Sequence, residues 1–528
     1  MLVYGDHSEI ADPRERLSSL ADELARIAAL PSGIARHADL VGALITAGQL
    51  QQGVEDQGCA SLELSQFVCA LATAVVRSLD SHYHGIGVLP PVPAIDAPRA
   101  VELRLPEGFA FYAVYPEQFI AAARELKLHG PPRVIGIRSI GTTLGAVVSA
   151  TLGAPPPWTV RPFGRPFARK VELPSEATEQ DVHYVIVDEG PGLSGSSFGA
   201  VADWLETHAV SPERIAFLPS HDGDLRPAAS EAHRRRWQRA QRVPACFDPA
   251  FLTAMFGRLE PFSTGGPWER LKYFAERDGE RLLLKFAGLG AMGARKFEMA
   301  RALHAAGFTP EPLAMVHGFL IERWIGDGEP LAPGDKPAQE IGRYIGARAK
   351  LFPAPQASGA SIEQLLTMCE RNLSLALGGN AAGALGRWDA ADLERRVVRV
   401  RTDNKLDRHE WLRRRDGRLV KTDALDHHQG HDLIGSQDAA WDIAGAIAEF
   451  DLSPSETEGL IAVSGLEVDR SLLGFFRLAY LAFRLGQATL AAQIMQSPAT
   501  RDGRRYRHLL HLLLRSVDQH QDSAGILA

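Results

Sequence analysis

The spacing of hydrophobic residues divides the chain into three regions. Between residue 12 and about 85, apolar residues recur at three- and four-residue intervals, as in LSSLADELARIAAL and FVCALATAVVRSL, which predicts helices. From about 100 to 225, short β-rich runs alternate with helical runs, and this alternation predicts a parallel sheet. From about 255 a strand-rich segment precedes long helices. The proline-rich stretch 88–98 predicts a linker or an extended edge between the first two regions.

Composition and charge narrow the class of protein. The 528 residues are 45% hydrophobic and 23% charged, which is ordinary for globular proteins and excludes disordered, collagen-like and disulfide-scaffold chains. Fifty-seven Lys and Arg against 64 Asp and Glu give a formal charge of -7. A nucleic-acid partner is therefore not expected, because non-specific binding depends on a basic surface.

Several absences point to a cytoplasmic protein. The four cysteines, at positions 59, 69, 246 and 369, form no CxxC pair, so we expect reduced thiols. The charged N-terminus has no apolar core typical of a signal peptide. No apolar run reaches the roughly 18 residues that span a membrane. The best candidate, 472–492, is interrupted by Arg477, Arg484 and Gln487, which favours an amphipathic core helix.

A first group of chemically suggestive residues lies in VIVDEGPGLSGSS, from Val185 to Ser197. An apolar strand ends in two acids, Asp188 and Glu189, and a helix begins after a small-residue loop. Backbone N–H groups in such a loop, hydroxyl donors and a helix N-terminus favour binding of a phosphate group. The two acids favour ribose hydroxyls or a magnesium ion beside it. The loop residues are Gly190, Gly192, Ser194, Gly195, Ser196 and Ser197.

This segment resembles the loop of type I phosphoribosyltransferases that holds the 5′-phosphate of phosphoribosyl pyrophosphate. Here the loop is about one residue longer than the commonest form, and the second acid is Glu. The upstream GIRSIGTTLG, 136–145, resembles the family's pyrophosphate loop, and the basic stretch 161–170, with Arg165, resembles its closing loop. The resemblance implies that Arg138, Ser139, Gly141 and Thr142 bind pyrophosphate. It also implies Mg²⁺ as cofactor and a small-molecule base or nucleoside-like compound as acceptor.

A second group of residues begins at about 260. Lys285 lies on an apolar strand, and Glu298 lies on the helix that follows. A buried lysine requires an anionic partner, and a strand lysine paired with a helix glutamate holds nucleotide phosphates in kinase folds. Upstream, Gly265 and Gly266 belong to a candidate glycine-containing hairpin over the phosphates. The backbone from Glu322 to Trp324 is the predicted contact of adenine.

Further downstream the sequence resembles aminoglycoside-phosphotransferase-like or choline-kinase-like enzymes. Their final motif is matched by QDAAWDIAGA, 437–446. The resemblance implies Asp403 as the acid that accepts the substrate's hydroxyl proton and Asp423 as a magnesium ligand. The family's HGD is RTD at 401–403, and its metal-binding Asn is absent. Spacing places Glu410, or alternatively His409, in that position.

Two further segments have alternative interpretations. The histidines in DALDHHQGHD, 423–432, could form a metal site, but we favour residues that line or flank the substrate pocket. The basic run HRRRWQRAQR, 233–242, could bind RNA, but a solvated helix or an interdomain contact suits an acidic chain better.

Together these observations predict an α/β and α+β multidomain chain. We expect a helical region at 1–99, a phosphoribosyltransferase-like parallel-sheet domain at 100–254, and a bilobal kinase-like domain at 255–528. The expected function is a bifunctional transferase that uses phosphoribosyl pyrophosphate and ATP on a ribosylated small molecule. Two alternatives remain open, a nucleotide-sensing regulator with a pseudokinase and an RNA-modifying enzyme. An oligomeric assembly is compatible with all three functions.

Overall fold

The computed structural model describes most of the chain. It leaves out residues 6–7, 166, 174–177, 180, 193, 227–228, 264–268, 379–384, 426, 495–499 and 526–528, and the side chains of 429, 494 and 515–525.

The N-terminal region contains the predicted helices. Asp12 accepts a hydrogen bond from the Arg14 N–H, and Pro13 opens the first helix, a favourable start for both residues. The second helix is buried along most of its length. The elements are β1 Ser8–Ala11, α1 Pro13–Ala29, α2 Ile34–Asp56, α3 Leu62–Asp80 and β2 Val101–Arg104, and β1 pairs with β2.

The middle region contains the predicted parallel sheet. Its five strands lie in the order β4-β3-β7-β8-β9, and every neighbouring pair is parallel. A separate two-stranded hairpin, β5–β6, projects from it. The elements are α4 Glu107–Phe111, α5 Pro116–Glu125, β3 Pro132–Ile137, α6 Ile140–Leu152, β4 Trp158–Val160, β5 Phe163–Arg165, β6 Ala168–Lys170, β7 His183–Val187, α7 Ser196–Thr207, β8 Ile215–Leu218, α8 Glu231–Arg239 and β9 Gln241–Arg242.

The C-terminal region begins with a five-stranded sheet of antiparallel pairs, in the order β10-β11-β12-β14-β13, and continues into helices. A small antiparallel sheet, β15-β16-β17, takes its first strand from before the first of these helices and its other two strands from between the third and fourth. The first elements are α9 Ala250–Phe256, β10 Glu260–Pro261, β11 Lys272–Arg277, β12 Glu280–Phe286, α10 Gly290–Ala305, β13 Pro312–Val316, β14 Phe319–Arg323 and β15 Glu329–Pro330. The later ones are α11 Ala338–Leu351, α12 Ile362–Leu377, α13 Ala390–Glu394, β16 Trp411–Arg413, β17 Leu419–Lys421, α14 Ala439–Phe450, α15 Pro454–Ser464, α16 Arg470–Ile494 and α17 Arg501–Gly525.

One hydrophobic core joins the three regions. It contains apolar residues of α1 to α3, of α5 and α6, and of the antiparallel sheet. Helices α2 and α10 approach so closely at Gly42 and Gly290 that a Cβ on Gly42 would lie 3.0 Å from the Gly290 Cα. The predicted boundaries at 99 and 254 stay predictions, and this core crosses both.

Helix α3 is the one described helix that is long and apolar enough to cross a membrane, with a mean hydropathy of 1.4 over its best window. From the sequence, 472–492 and not α3 is the best apolar candidate for a membrane span. About 44% of the α3 window is buried, and the helix packs against α2 and α6, as a core helix does. All four cysteines are free thiols. The cytoplasmic location stays a prediction.

Candidate functional sites

The two loops predicted to bind phosphoribosyl pyrophosphate lie side by side. They follow β3 and β7, which are adjacent parallel strands, so both loops leave the same edge of the sheet. Gly141 sits where they meet, because a Cβ there would lie 2.7 Å from the Val187 carbonyl oxygen and 3.1 Å from the Gly136 carbonyl carbon. Ser139 precedes α6, and Thr142 is buried in its first turn.

The two acids at this edge hold their protons unusually tightly. Burial raises the pKa of Asp188 to about 7. Burial, with the nearby charges of Glu107 and Asp188, raises the pKa of Glu189 to about 8. The Gly108 N–H donates to Glu189 Oε2 at 2.8 Å, and the Glu189 N–H donates to Asp188 Oδ1 at 2.8 Å. A cation placed here would relieve the cost of ionising both groups.

The small-residue loop after Glu189 turns at two glycines, and its predicted role in phosphate binding stays a prediction. Gly192 and Gly195 have φ values of 62° and 61°, which favour glycine. The Ser194 hydroxyl donates to Ser196 Oγ at 3.0 Å and accepts from the Ser196 N–H at 3.3 Å. Ser196 and Ser197 open α7, so its N-terminal N–H groups face the loop region.

An unexpected acidic pair holds the predicted pyrophosphate arginine. Arg138 is 3.1 Å from Glu55 Oε2 and 3.1 Å from Asp56 Oδ1, both at the end of α2. Arg161 also binds Asp56 and donates to the Arg138 carbonyl at 3.0 Å. An incoming pyrophosphate would have to compete with these carboxylates for Arg138. No pattern around residues 55–56 signals this pairing, because the two segments are far apart in sequence.

The remaining basic segments differ in their surroundings. Arg165 and Arg169 are exposed on the β5–β6 hairpin, and the charge of Arg169 acts on Asp188, so this hairpin lies near the acids. In the 233–242 run, Arg236 pairs with Asp203 at 2.6 Å and with Glu206 at 2.8 Å. Helix α8 is therefore a solvated helix packed on α7, the interpretation that the sequence favoured.

Lys285 is buried as predicted, but its acidic partners differ from the prediction. The side chain is 7% exposed, and Nζ lies 3.6 Å from Glu322 Oε2 and 3.9 Å from Asp423 Oδ1. Glu298 is exposed on α10, and its charge acts on Arg295. The predicted Lys285–Glu298 pair is wrong, because α10 turns position 298 to solvent and β14 supplies Glu322 instead.

Backbone N–H groups in the predicted adenine-binding segment already donate to other backbone carbonyls. The Arg323 and Trp324 N–H groups donate to the carbonyls of Glu311 and Arg281, each at 3.0 Å. The Trp324 ring packs on Phe274, with centroids 4.8 Å apart. Two of the donors in this segment are thus unavailable to an adenine. Gly265 and Gly266 lie outside the described residues.

Asp403 is fully buried, and this corrects its predicted role. It is 0% exposed. Its carboxylate accepts from the Tyr344 hydroxyl and lies 3.3 Å from Lys421 Nζ and 3.0 Å from His427 Nδ1. Burial alone would raise its pKa, but Lys421 and His427 hold it well below the ordinary value. A carboxylate enclosed this way does not reach a substrate hydroxyl, and we assign it a positioning role.

The predicted metal ligands converge. One ligand atom each from Glu410, Asp423 and His427 lies within 4.8 Å of the others. Burial raises the pKa of Glu410 to about 7, and Lys421 binds this carboxylate. Asp423 Oδ1 is buried and has no hydrogen-bond partner. Two carboxylates, one with an unsatisfied buried oxygen, fit an Mg²⁺ ion, with His427 beside them. His409 lies with Asp407 and Glu410 in a second, less buried group.

Asp442 holds the loop that carries Asp403. Its two carboxylate oxygens accept hydrogen bonds from the backbone N–H groups of Asp403 and Asn404, at 2.8 and 2.9 Å. Burial, with the nearby charge of Asp403, raises the pKa of Asp442 to about 6. Asp442 of the Trp441–Asp442 dipeptide therefore acts on the backbone of the Asp403 loop.

The other histidines of 423–432 have separate partners. His428 is buried beside Arg348, and His431 pairs with Glu107 and Tyr112 of the middle region. Of the three, His427 alone joins the acids of the candidate metal group. Sequence reasoning missed Tyr344, Arg348 and Lys421, whose spacing carries no motif, and it missed Glu107 because helix α4 is only five residues long.

Comparisons with known proteins find likeness over about half of the chain. No family model matches, and no curated protein matches. Among solved structures, the chain is similar to choline kinase LicA from Streptococcus pneumoniae, with 16% identity, a TM-score of 0.38, and coverage of 51% of this chain and 97% of that one. A choline/ethanolamine kinase family protein from Mesorhizobium loti has 16% identity, a TM-score of 0.33, and coverage of 51% and 90%. Macrolide 2′-phosphotransferase type I has 13% identity, a TM-score of 0.33, and coverage of 51% and 94%.

Sequence identities and TM-scores this low do not allow the activity of these proteins to be assigned to this chain. The resemblance of the C-terminal half to small-molecule kinases, made from its sequence motifs, stays a prediction. The phosphoribosyltransferase resemblance of the middle region stays a prediction.

Proposed function

We propose that the chain is a transferase with two sites, one for phosphoribosyl pyrophosphate and one for ATP. The observation that carries the first half is the pair Asp188 and Glu189 beside a glycine-serine loop, at the edge where two parallel strands end. Their raised pKa values favour a ligand that arrives with a divalent cation. A phosphate at the α7 N-terminus and ribose hydroxyls at the acids would fit one phosphoribosyl group.

In this proposal the protein mainly positions the two reactants and stabilises the negative charge of the departing pyrophosphate. Ser194, Ser196 and the α7 N-terminus would hold the 5′-phosphate, and Arg138 would turn from Glu55 toward pyrophosphate. Mg²⁺ would neutralise the departing pyrophosphate when bound. The exposed β5–β6 hairpin would add cations and exclude water from the reacting carbon.

The test is release of pyrophosphate from phosphoribosyl pyrophosphate and Mg²⁺ with a panel of bases and nucleoside-like acceptors. The Asp188→Asn/Glu189→Gln variant should lose at least 100-fold in rate, because both cation-binding carboxylates are gone. Asp181→Asn, an exposed acid of the same region, is the matched control and should retain the rate. Equal rates in all three proteins would contradict the proposal.

For the second site we propose phosphoryl transfer from ATP to a hydroxyl of a small molecule. The supporting observation is that Lys285 and Asp423 lie 3.9 Å apart beside Glu410, an arrangement for phosphates and Mg²⁺. Lys285 would bind the phosphates, and Asp423 and Glu410 would hold the ion. Asp442 would fix the loop that carries Asp403. When bound, Mg²⁺ would neutralise part of the negative charge of the phosphates.

This half is tested by Mg²⁺-dependent ATP binding and turnover. Asp423→Asn should abolish turnover and weaken ATP binding about tenfold or more in Mg²⁺. Asp416→Asn, at an exposed hairpin turn near the site in sequence, should behave as wild type. If Asp423→Asn binds and turns over ATP normally, the proposed metal role is wrong.

A second candidate function is a nucleotide-sensing regulator with an inert kinase-like domain. The burial of Asp403 favours it, because the carboxylate at the predicted position of the catalytic acid is enclosed. Tight ATP binding with no turnover in wild type, across a broad panel of hydroxyl acceptors, would select this alternative.

A further inference from the structure

Three buried side chains from distant parts of the chain converge away from both candidate sites. His37 lies on α2, Glu117 on α5 and His317 in the turn between β13 and β14. Both His37 Nε2, at 2.7 Å, and His317 Nε2, at 2.5 Å, contact the same oxygen, Glu117 Oε1. The residues are 0%, 9% and 6% exposed in the order His37, Glu117, His317.

Hydrogen bonding alone accounts poorly for this group. Two imidazoles share one carboxylate oxygen, while the second oxygen, Glu117 Oε2, is buried and has no hydrogen-bond partner. A buried carboxylate oxygen without a partner costs free energy. Two donors available to one carboxylate would ordinarily distribute over both oxygens.

The surroundings orient the imidazoles as ligands of metal ions are oriented. His37 Nδ1 lies 2.9 Å from Ser78 Oγ, which leaves Nε2 directed at the centre of the group. The Tyr115 hydroxyl donates to the His317 carbonyl at 2.7 Å and holds the turn. A contact such as that of Ser78 with His37 fixes the ring orientation and tautomer of metal-binding histidines, whereas Tyr115 fixes the backbone that carries His317.

We propose that His37, Glu117 and His317 form a structural site for one divalent transition-metal ion with the chemistry of zinc. Two imidazole nitrogens and a carboxylate are the protein ligands of zinc sites that keep a fourth position open, and in this buried group the second carboxylate oxygen would fill that position. Zinc bonds of about 2.0–2.2 Å place neighbouring ligand atoms roughly 3.3 Å apart. The present contacts would therefore widen by less than about 1 Å.

The placement gives such an ion a role. The three ligands come from the N-terminal helices, the middle region and the antiparallel sheet, the same parts that the large hydrophobic core joins. Bound metal would cross-link them, and the free energy of binding would add to the stability of the folded chain. The site shares no residue with the proposed Mg²⁺ group at Glu410, Asp423 and His427. That group has two carboxylates and one imidazole, whereas this one has one carboxylate and two imidazoles.

The test is titration of the full-length, chelator-treated protein with Co²⁺ alone, followed by visible absorption. Wild type should bind one equivalent with the intense bands of a four-coordinate ion, and Zn²⁺ should displace it. Glu117→Gln keeps the size of the side chain and should weaken Co²⁺ binding at least tenfold. Asp423→Asn should leave the bands unchanged. Bands that persist in Glu117→Gln and vanish in Asp423→Asn would overturn the proposal.

A measurement on wild type decides the matter if Glu117→Gln does not fold. X-ray absorption of the zinc-loaded protein should show two imidazole nitrogens and carboxylate oxygen in a four-coordinate shell. A shell with one imidazole or none would overturn the proposal. So would wild-type protein that binds neither Co²⁺ nor Zn²⁺ and melts at the same temperature with Zn²⁺ or chelator.

Discussion

The Glu107 carboxylate contacts the His431 imidazole, with 2.9 Å between Oε1 and Nδ1, and this contact connects the two candidate sites. Glu107 opens α4, and the next residue, Gly108, donates its N–H to Glu189 at the parallel-sheet edge. His431 lies four residues beyond His427 of the candidate metal group. The two proposed transfer sites are therefore linked through one short helix.

This link predicts an effect of Glu107→Gln on the parallel-sheet site. Removing a negative charge beside Glu189 should lower the pKa of that carboxyl, although burial is the larger cause of its rise. We expect the pH midpoint of Mg²⁺-dependent pyrophosphate binding to move to a lower pH. Calorimetric titration between pH 6 and 9 measures it. Glu125→Gln, an exposed acid on α5, is the control, and an upward or absent shift contradicts the account.

Freeing Arg138 should strengthen pyrophosphate binding. In Glu55→Gln/Asp56→Asn, Arg138 and Arg161 lose their carboxylate partners and become available to a polyanion. We expect binding three- to tenfold tighter, about 1 kcal/mol, the size expected for partly exposed ion pairs. Asp80→Asn breaks an exposed pair with Arg124 and should change nothing. Weaker binding in the double variant would mean that the acids belong to the ligand site.

The protons on Asp188 and Glu189 predict a particular dependence of stability on pH. Their pKa values in the folded chain, about 7 and about 8, lie above ordinary unfolded values near 4. The folded state therefore binds more protons between pH 4 and 8, and stability falls as pH rises through that window, by up to about 1.4 kcal/mol per unit per group. Urea unfolding at pH 5 and 8 should show a smaller loss in Glu189→Gln than in wild type. An equal or larger loss would contradict the assignment.

Asp442 should matter for stability as well as activity. Asp442→Ala leaves the N–H groups of Asp403 and Asn404 buried without an acceptor. We expect the free energy of unfolding to fall by about 2–4 kcal/mol. Chemical denaturation measures this, with Asp416→Ala as an exposed control. A loss below about 0.5 kcal/mol would show that these bonds do not hold the loop.

The sequence predicted those features that local patterns determine. Helical spacing placed α1 to α3, alternating β-rich and helical runs predicted the parallel sheet, and buried Lys285 followed from its apolar strand. Contacts between distant segments were not predictable in this way. The predicted Lys285–Glu298 pair is wrong because the rotation of α10 about its axis decides which of its residues face inward. The acidic partner of Lys285 is Glu322 of β14 instead. The contact of Glu55 with Arg138 and that of Lys421 with Asp403 depend on packing between distant segments. No sequence motif links those segments.

The central claim is that one chain carries two separate phosphate-ligand sites. The most direct test is calorimetric titration of phosphoribosyl pyrophosphate, with Mg²⁺, into protein already saturated with a non-hydrolysable ATP analogue. The account predicts one equivalent of binding that persists in the presence of the analogue, survives Asp423→Asn, and is lost in Asp188→Asn/Glu189→Gln. Absence of binding in wild type, or displacement of one ligand by the other, would contradict it.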